Sequence, residues 1–110
     1  MLKVDMEYEK GILYVRLKGV LDRKVCYKIN NYVVPVVLKH KVKYLVFNLY
    51  DLEGIDESGL DALLNVKCAI RTNKGKICLC EVSDFLREKM KRLRMRVASN
   101  ELAAYHLISI

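Results

Sequence analysis

The chain has 110 residues, of which 53% are apolar and 30% charged, with 20 Lys plus Arg against 13 Asp plus Glu for a net charge of +7. That length holds one domain with a modest core and excludes a multi-domain enzyme. The apolar share excludes an intrinsically disordered chain, and charges interrupt every apolar run well before the ~20 residues a membrane-spanning helix needs. Residues 1–11 alternate charged with apolar side chains and lack the apolar stretch of a signal peptide, so a soluble, cytoplasmic protein with no membrane partner is expected.

Leu2, Val4, Met6 and Tyr8 are apolar with charged residues between them, the period of a half-buried strand. Glu9, Lys10 and Gly11 form a turn into a second strand-like run, residues 12–18, so the two most simply make an antiparallel hairpin, closed by Gly19. Residues 23–40 are locally ambiguous, since Val33, Val34, Val36 and Val37 suit a strand while Val25, Ile29, Val33 and Val37 follow a helical spacing. A helix with Asp22 as N-cap is expected there, kinked or ended near Val34, because Pro35 lacks a donor and clashes with the carbonyl of Asn31. Residues 44–49 are an almost continuous apolar run, as for a central strand covered on both faces. A loop over 50–57 then leads into a helix from Ser58 to about Thr72, with Leu60, Leu63, Leu64 and Cys68 on one face and Asn73, Lys74 and Gly75 as its stop. Beyond it the pattern predicts a buried strand over 76–80 and a helix from Ser83 to about Arg92, capped by Ser83, with Phe85, Leu86 and Met90 toward the core. A last helix is expected over 100–108. Two strands followed by strand and helix in alternation favour a small α/β sheet with helices packed on it.

The four cysteines contain no Cys-x-x-Cys pair, and His40 and His106 lie far from them in sequence. Neither a metal site nor a disulfide framework is expected, but reduced, mostly buried thiols, with Cys78 and Cys80 on one face of their strand. There is no Gly-rich phosphate loop, nucleophile elbow or nucleophile with its base, so neither catalysis nor a cofactor is expected. His40 and His106, like Tyr14, Tyr27, Tyr32, Tyr44 and Tyr105, read as surface or packing residues. Most of the positive charge is local: Arg87, Lys89, Lys91, Arg92, Arg94 and Arg96 stand against Glu88 alone within ten residues. Without interleaved aromatic side chains this tract reads as a solvated face rather than a nucleic-acid site.

The densest functional candidate is Asp56-Glu57-Ser58-Gly59, after the most buried strand and at a helix start, where α/β sheets place interaction sites. Ser58 and Asp61 fit a capping box, in which the hydroxyl only satisfies a helix amide. Asp56 is an equal candidate for the cap; it would leave Ser58 in the first turn with its hydroxyl outward and Gly59 open to close approach by another backbone.

Taken in order, Gly19-Val20-Leu21-Asp22, the strand ending in Asn48-Leu49, Ile55-Asp56-Glu57-Ser58-Gly59-Leu60 and Gly75-Lys76-Ile77-Cys78-Leu79-Cys80 resemble the bacterial anti-sigma factor antagonists, single-domain members of the STAS family. The resemblance covers nearly the whole chain. It implies one α/β domain over 1–110, a four- to five-stranded mixed sheet flanked by about four helices, acting as a protein-binding switch. In that family the antagonist binds an anti-sigma factor that is also a serine kinase and frees a sigma factor. Phosphorylation of the serine before the glycine, here Ser58, turns it off, with a phosphatase as a further partner. The implied partner surface is Gly19, Asp22 and Arg23 together with Asp56, Glu57, Ser58 and Gly59. Two features depart from the family pattern: Glu57 stands where a small hydroxyl residue is usual, and the basic tract over 87–96 is not required. A family member without a switch, acting as a scaffold, and a nucleic-acid-binding domain using residues 87–96 are the competing readings.

Overall fold

A computed structural model describes residues 1–108. Strand β1 (Leu2–Glu9) pairs antiparallel with β2 (Ile12–Leu21), Glu9 opposite Ile12, across a turn whose Lys10 and Gly11 both have positive φ, as a tight primed hairpin demands. Its alternation is real, but β1 is an edge strand and only the first part of its apolar face is covered. Leu2 is buried and Val4 half-buried, whereas Met6 and Tyr8 are exposed.

The segment after β2 is the expected helix with a defect, starting later than expected and running to Lys39. Asp22 does cap it, its Oδ1 accepting from Lys24 N–H at 3.0 Å, and its carbonyl accepts from Cys26 N–H at 2.9 Å. α-Helix at residues 27–28 widens into a π-helical turn over Ile29–Val33, which the Val34 N–H closes on the Ile29 carbonyl, and becomes regular again in α1 (Val34–Lys39). The wider turn accommodates Pro35, which lies in the first turn of α1 directly after it.

Strand β3 (Tyr44–Ile55) runs six residues beyond the Leu49 expected, because the stretch read as a loop continues to pair with β2 as far as Leu21 opposite Ile55. Two register irregularities, opposite Arg16 to Lys18 and opposite Gly19 to Val20, each put one extra residue on β3 and let the strands bend while Leu52 and Ile55 stay buried. Then follow α2 (Glu57–Thr72), β4 (Lys76–Cys80), α3 (Asp84–Met90) with a 3-10 turn over Lys91–Leu93, β5 (Arg96–Ala98) and α4 (Glu101–Ile108). The sheet order is β1-β2-β3-β4-β5, parallel except for the first pair, so β3 is central as expected. Strand β5 was not expected: three residues with a basic one leading carry no apolar pattern.

Alternation along the strands splits the core in two. Val15, Leu17, Leu45, Phe47, Leu49 and Leu79 face α1 and α2, whereas Ile12, Tyr14, Val46, Cys78 and Cys80 meet Ala104 and Ile108 of α4. Cys78 and Cys80 thus share a face, and burial pushes their thiols up, Cys80 to about 12, which leaves them inert hydrophobes. Cys68, expected inside, is exposed, since α2 turns Leu60, Leu63, Val66 and Ile70 to the sheet instead. Phe85 is also outside, at 65% exposure, because the short α3 buries only Leu86 and Met90. Ser83 occupies the N-cap position of α3 but makes no capping bond, and its Oγ is buried without a hydrogen bond among the described residues.

Candidate functional site

The C-terminal ends of β2 and β3 lie side by side, and the two segments leaving them meet over one carboxylate. Asp56 is the cap of α2: its Oδ1 accepts from Gly59 N–H at 2.9 Å, and its Oδ2 accepts from Arg23 N–H at 3.0 Å. One side chain therefore both starts α2 and ties down the loop after β2. Those amides, Gly59 first and then Arg23 and Ser58, hold the Asp56 carboxyl below its usual range. The capping box expected from Ser58 and Asp61 is not formed. With Asp56 in the cap, Ser58 falls in the first turn, half-buried, and its hydroxyl makes no hydrogen bond among the described residues.

Gly59 explains why the cap falls there. A Cβ at this residue would come within 2.4 Å of the Leu21 carbonyl and 2.7 Å of the Ile55 side chain, so only glycine lets the first turn of α2 lie against the ends of β2 and β3. The close approach that glycine permits is thus to the chain's own backbone, and Gly59 is buried. Gly19 pairs with Leu2 in the hairpin, away from the groove. The remaining expected residues come together: Asp22, Arg23, Asp56, Glu57 and Ser58, with Lys24, line an open groove of about 440 Å³.

Two residues of this neighbourhood were missed. Arg92, from the 3-10 turn, reaches the first turn of α2, its Nη1 donating to Glu57 Oε1 at 2.5 Å, and Lys89 Nζ donates to the Ile55 carbonyl at 3.1 Å. The guanidinium beside it keeps the Glu57 carboxyl below its usual range. Thus the two departures from the expected pattern, an acidic residue before the serine and a basic tract, are partners in space. A separation of 35 residues hid the pair in the sequence. Arg87 is paired to Asp84 and Lys91 to Glu88, so four of the tract's cations have a partner within the chain. Among the described residues no group of acidic, His and Cys side chains could hold a metal ion, and no helix is long and apolar enough to cross a membrane.

Comparison with known proteins agrees with this architecture. The chain is 28% identical over 82 residues to an anti-sigma F factor antagonist of Paenibacillus polymyxa, an alignment covering 74% of this chain and 70% of that one. A putative anti-sigma factor antagonist from Thermotoga maritima has the same fold, with a TM-score of 0.86 at 14% identity over 97% of this chain and 95% of that one. The Bacillus cell fate determinant SpoIIAA in its phosphorylated form superposes with a TM-score of 0.76 at 21% identity, over 96% of this chain and 99% of that one. These two structural likenesses speak for the fold alone. The family match itself runs over residues 3–98, nearly the whole sheet and the site it carries, and places this chain in the STAS domain family.

Proposed function

We propose that the chain is an anti-sigma factor antagonist, a switch that binds an anti-sigma factor with serine kinase activity, frees a sigma factor, and is turned off by phosphorylation of Ser58. The observation that carries the reading is the division of labour at the start of α2. Asp56 does the capping, which leaves the Ser58 hydroxyl without a structural duty at the rim of a groove shared with Asp22 and Arg23. The curated relative, an anti-sigma F factor antagonist, supports the same partner class.

The physics of such a switch suits this site. A phosphate on Ser58 adds about −1.5 to −2 charges beside Asp56, Glu57 and Asp61. The first turn of a helix tolerates it in the free protein, because its amides and dipole favour anions by ~0.3 to 1 kcal/mol. A partner docked over the groove must bury that charge, which costs several kcal/mol when it is unpaired. At 1.4 kcal/mol per factor of ten, a loss of roughly a hundred- to a thousandfold in affinity follows from one modification. Glu57 is not a bare charge in the way of a kinase, since Arg92 neutralises it.

The test is capture of partners from the source cells with wild type, Ser58→Ala and Ser58→Asp, read by mass spectrometry. Recovery of an anti-sigma kinase by wild type and Ser58→Ala but not by Ser58→Asp is expected, with phosphate on Ser58 of the native protein. The same partners on all three would reduce the protein to a scaffold without a switch.

A further inference from the structure

Resting on the reading of Ser58 as a phosphorylation site, we propose that Arg92 is the internal counter-ion of that phosphate: a phosphomonoester-binding side chain that Glu57 holds in place until Ser58 is modified. Arg92 is presented from a fixed support. Met90 and Leu93 on either side of it are buried, and Lys67, in the middle of α2, donates to the carbonyls of Leu93 and Arg94 at 2.8 and 3.0 Å. The turn that carries Arg92 is therefore tied directly to the helix whose first turn carries Ser58.

The guanidinium lies along the ridge of α2 formed by Glu57 and Asp61, four residues apart; its ion pair is with Glu57, and Asp61 adds to the field that holds its proton. Ser58 and Asp61, three apart, are neighbours on the same helix surface, so a phosphate at 58 extends toward the ridge Arg92 already occupies. The existing pair is exposed on both sides, with 55% of the Arg92 and 73% of the Glu57 side chain accessible, so little is lost when it opens. A phosphate offers the guanidinium a larger charge and two oxygens for its planar fork, the ligand it binds best. Around it stand Asp56, Glu57 and Asp61 of α2 and its cap, Arg23 of the loop after β2, and Lys89 of α3 on the Ile55 carbonyl. These three carboxylates and Asp22, across the groove, raise the pKa of a phosphate there, and the cations lower it. The cations at this site are Arg92 and its neighbour Lys89 together with Arg23 and Lys24 of the groove.

Phosphoserine installed at position 58 during translation, with the phosphorus resonance followed through a pH titration, tests this without any kinase or partner. With Arg92 in place the second ionisation of the phosphate is expected about half a unit to one unit lower than in Arg92→Gln, with Arg92→Lys between the two. Lys91→Gln removes the same charge from the neighbouring residue and is expected to leave the titration where wild type has it. The Arg92 Nε–H resonance should move on phosphorylation in wild type. An unchanged titration in Arg92→Gln, or an equal change in Lys91→Gln, would overturn the assignment. Because the phosphate is placed by translation, failure here with Ser58-dependent partner capture intact removes the counter-ion and leaves the switch. Success here without such dependence keeps the counter-ion and removes the switch.

Discussion

At the scale of single residues, the site is decided by Asp56 and Gly59, and both have measurable consequences. Asp56→Ala removes the cap of α2 and the tether of the preceding loop, and should cost about 1 kcal/mol in urea unfolding. The carboxyl is depressed in the folded protein, so its contribution is present above the unfolded carboxylate pKa of about 3.9 and is lost as pH falls through the lower folded value. The difference between wild type and Asp56→Ala should therefore shrink in strongly acidic buffer. Gly59→Ala pits two effects of opposite sign against each other. Alanine gains roughly 1 kcal/mol of helix propensity, but its methyl meets the Leu21 carbonyl at 2.4 Å, and overpacking typically costs about 1–3 kcal/mol. Since the contact is with backbone that cannot step aside, a net loss of stability is expected, with a lowered urea midpoint as the check. The sequence left the choice of cap open between Asp56 and Ser58, because each is a good capping residue at a plausible start. What settles it is the packing of Gly59 against Leu21, a contact across 38 positions that local reading does not see.

At the scale of elements, what was legible is what repeats. The period-2 run of β1, the apolar runs of β2 and β4 and the helical face of α2 follow directly from side-chain spacing. The break at Pro35 was legible as well, though its form, a π turn that passes the proline into the start of α1, was not. The extension of β3 was hidden because Tyr50, Asp51 and Glu53 are polar where the strand emerges from under the helices, while Leu52 and Ile55 keep its inner face apolar. Docking of α4 on the second face of the sheet rests on charge as well as packing. Glu101, at its first turn, accepts from Arg16 Nε and Nη2 and from Asn48 Nδ2, each at 2.8 Å. Arg16 and Asn48 are on the strand face that α4 covers, so removing the carboxylate leaves Asn48 Nδ2 without this acceptor and Arg16 with only its Nη1 bonds to Glu7 and Asp5. Glu101→Ala is expected to cost about 1–3 kcal/mol and to raise hydrogen exchange in α4 more than in α2. Arg16 holds this carboxyl too below its usual range, so the stabilisation it gives is complete near neutral pH and fades as pH drops through that lowered value.

At the scale of the whole molecule, the surplus of positive charge, +7 overall, is concentrated in a tract that folds against the start of α2 rather than standing free. A nucleic-acid site would need those cations aimed outward at phosphates, and affinity would fall steeply with salt. Four of them are instead engaged with Asp84, Glu88, Glu57 and the Ile55 carbonyl. Arg94→Ala with Arg96→Ala is accordingly expected to leave partner capture unchanged, whereas Arg23→Ala, in the groove itself, should weaken it. The family, the mixed sheet and the groove at the ends of β2 and β3 were within reach of the ordered motifs, because each motif marks an end of a strand or a helix. The approach of the 3-10 turn to the start of α2 was not, because it is made by one ion pair between distant residues, Arg92 and Glu57. The most direct measurement of the central proposal is calorimetric titration of the captured anti-sigma factor with this protein carrying serine or phosphoserine at position 58. A loss of roughly a hundred- to a thousandfold in affinity on phosphorylation is expected, since the partner must bury the added negative charge, which Arg92 offsets only by giving up Glu57. Equal affinities for the two forms would contradict it.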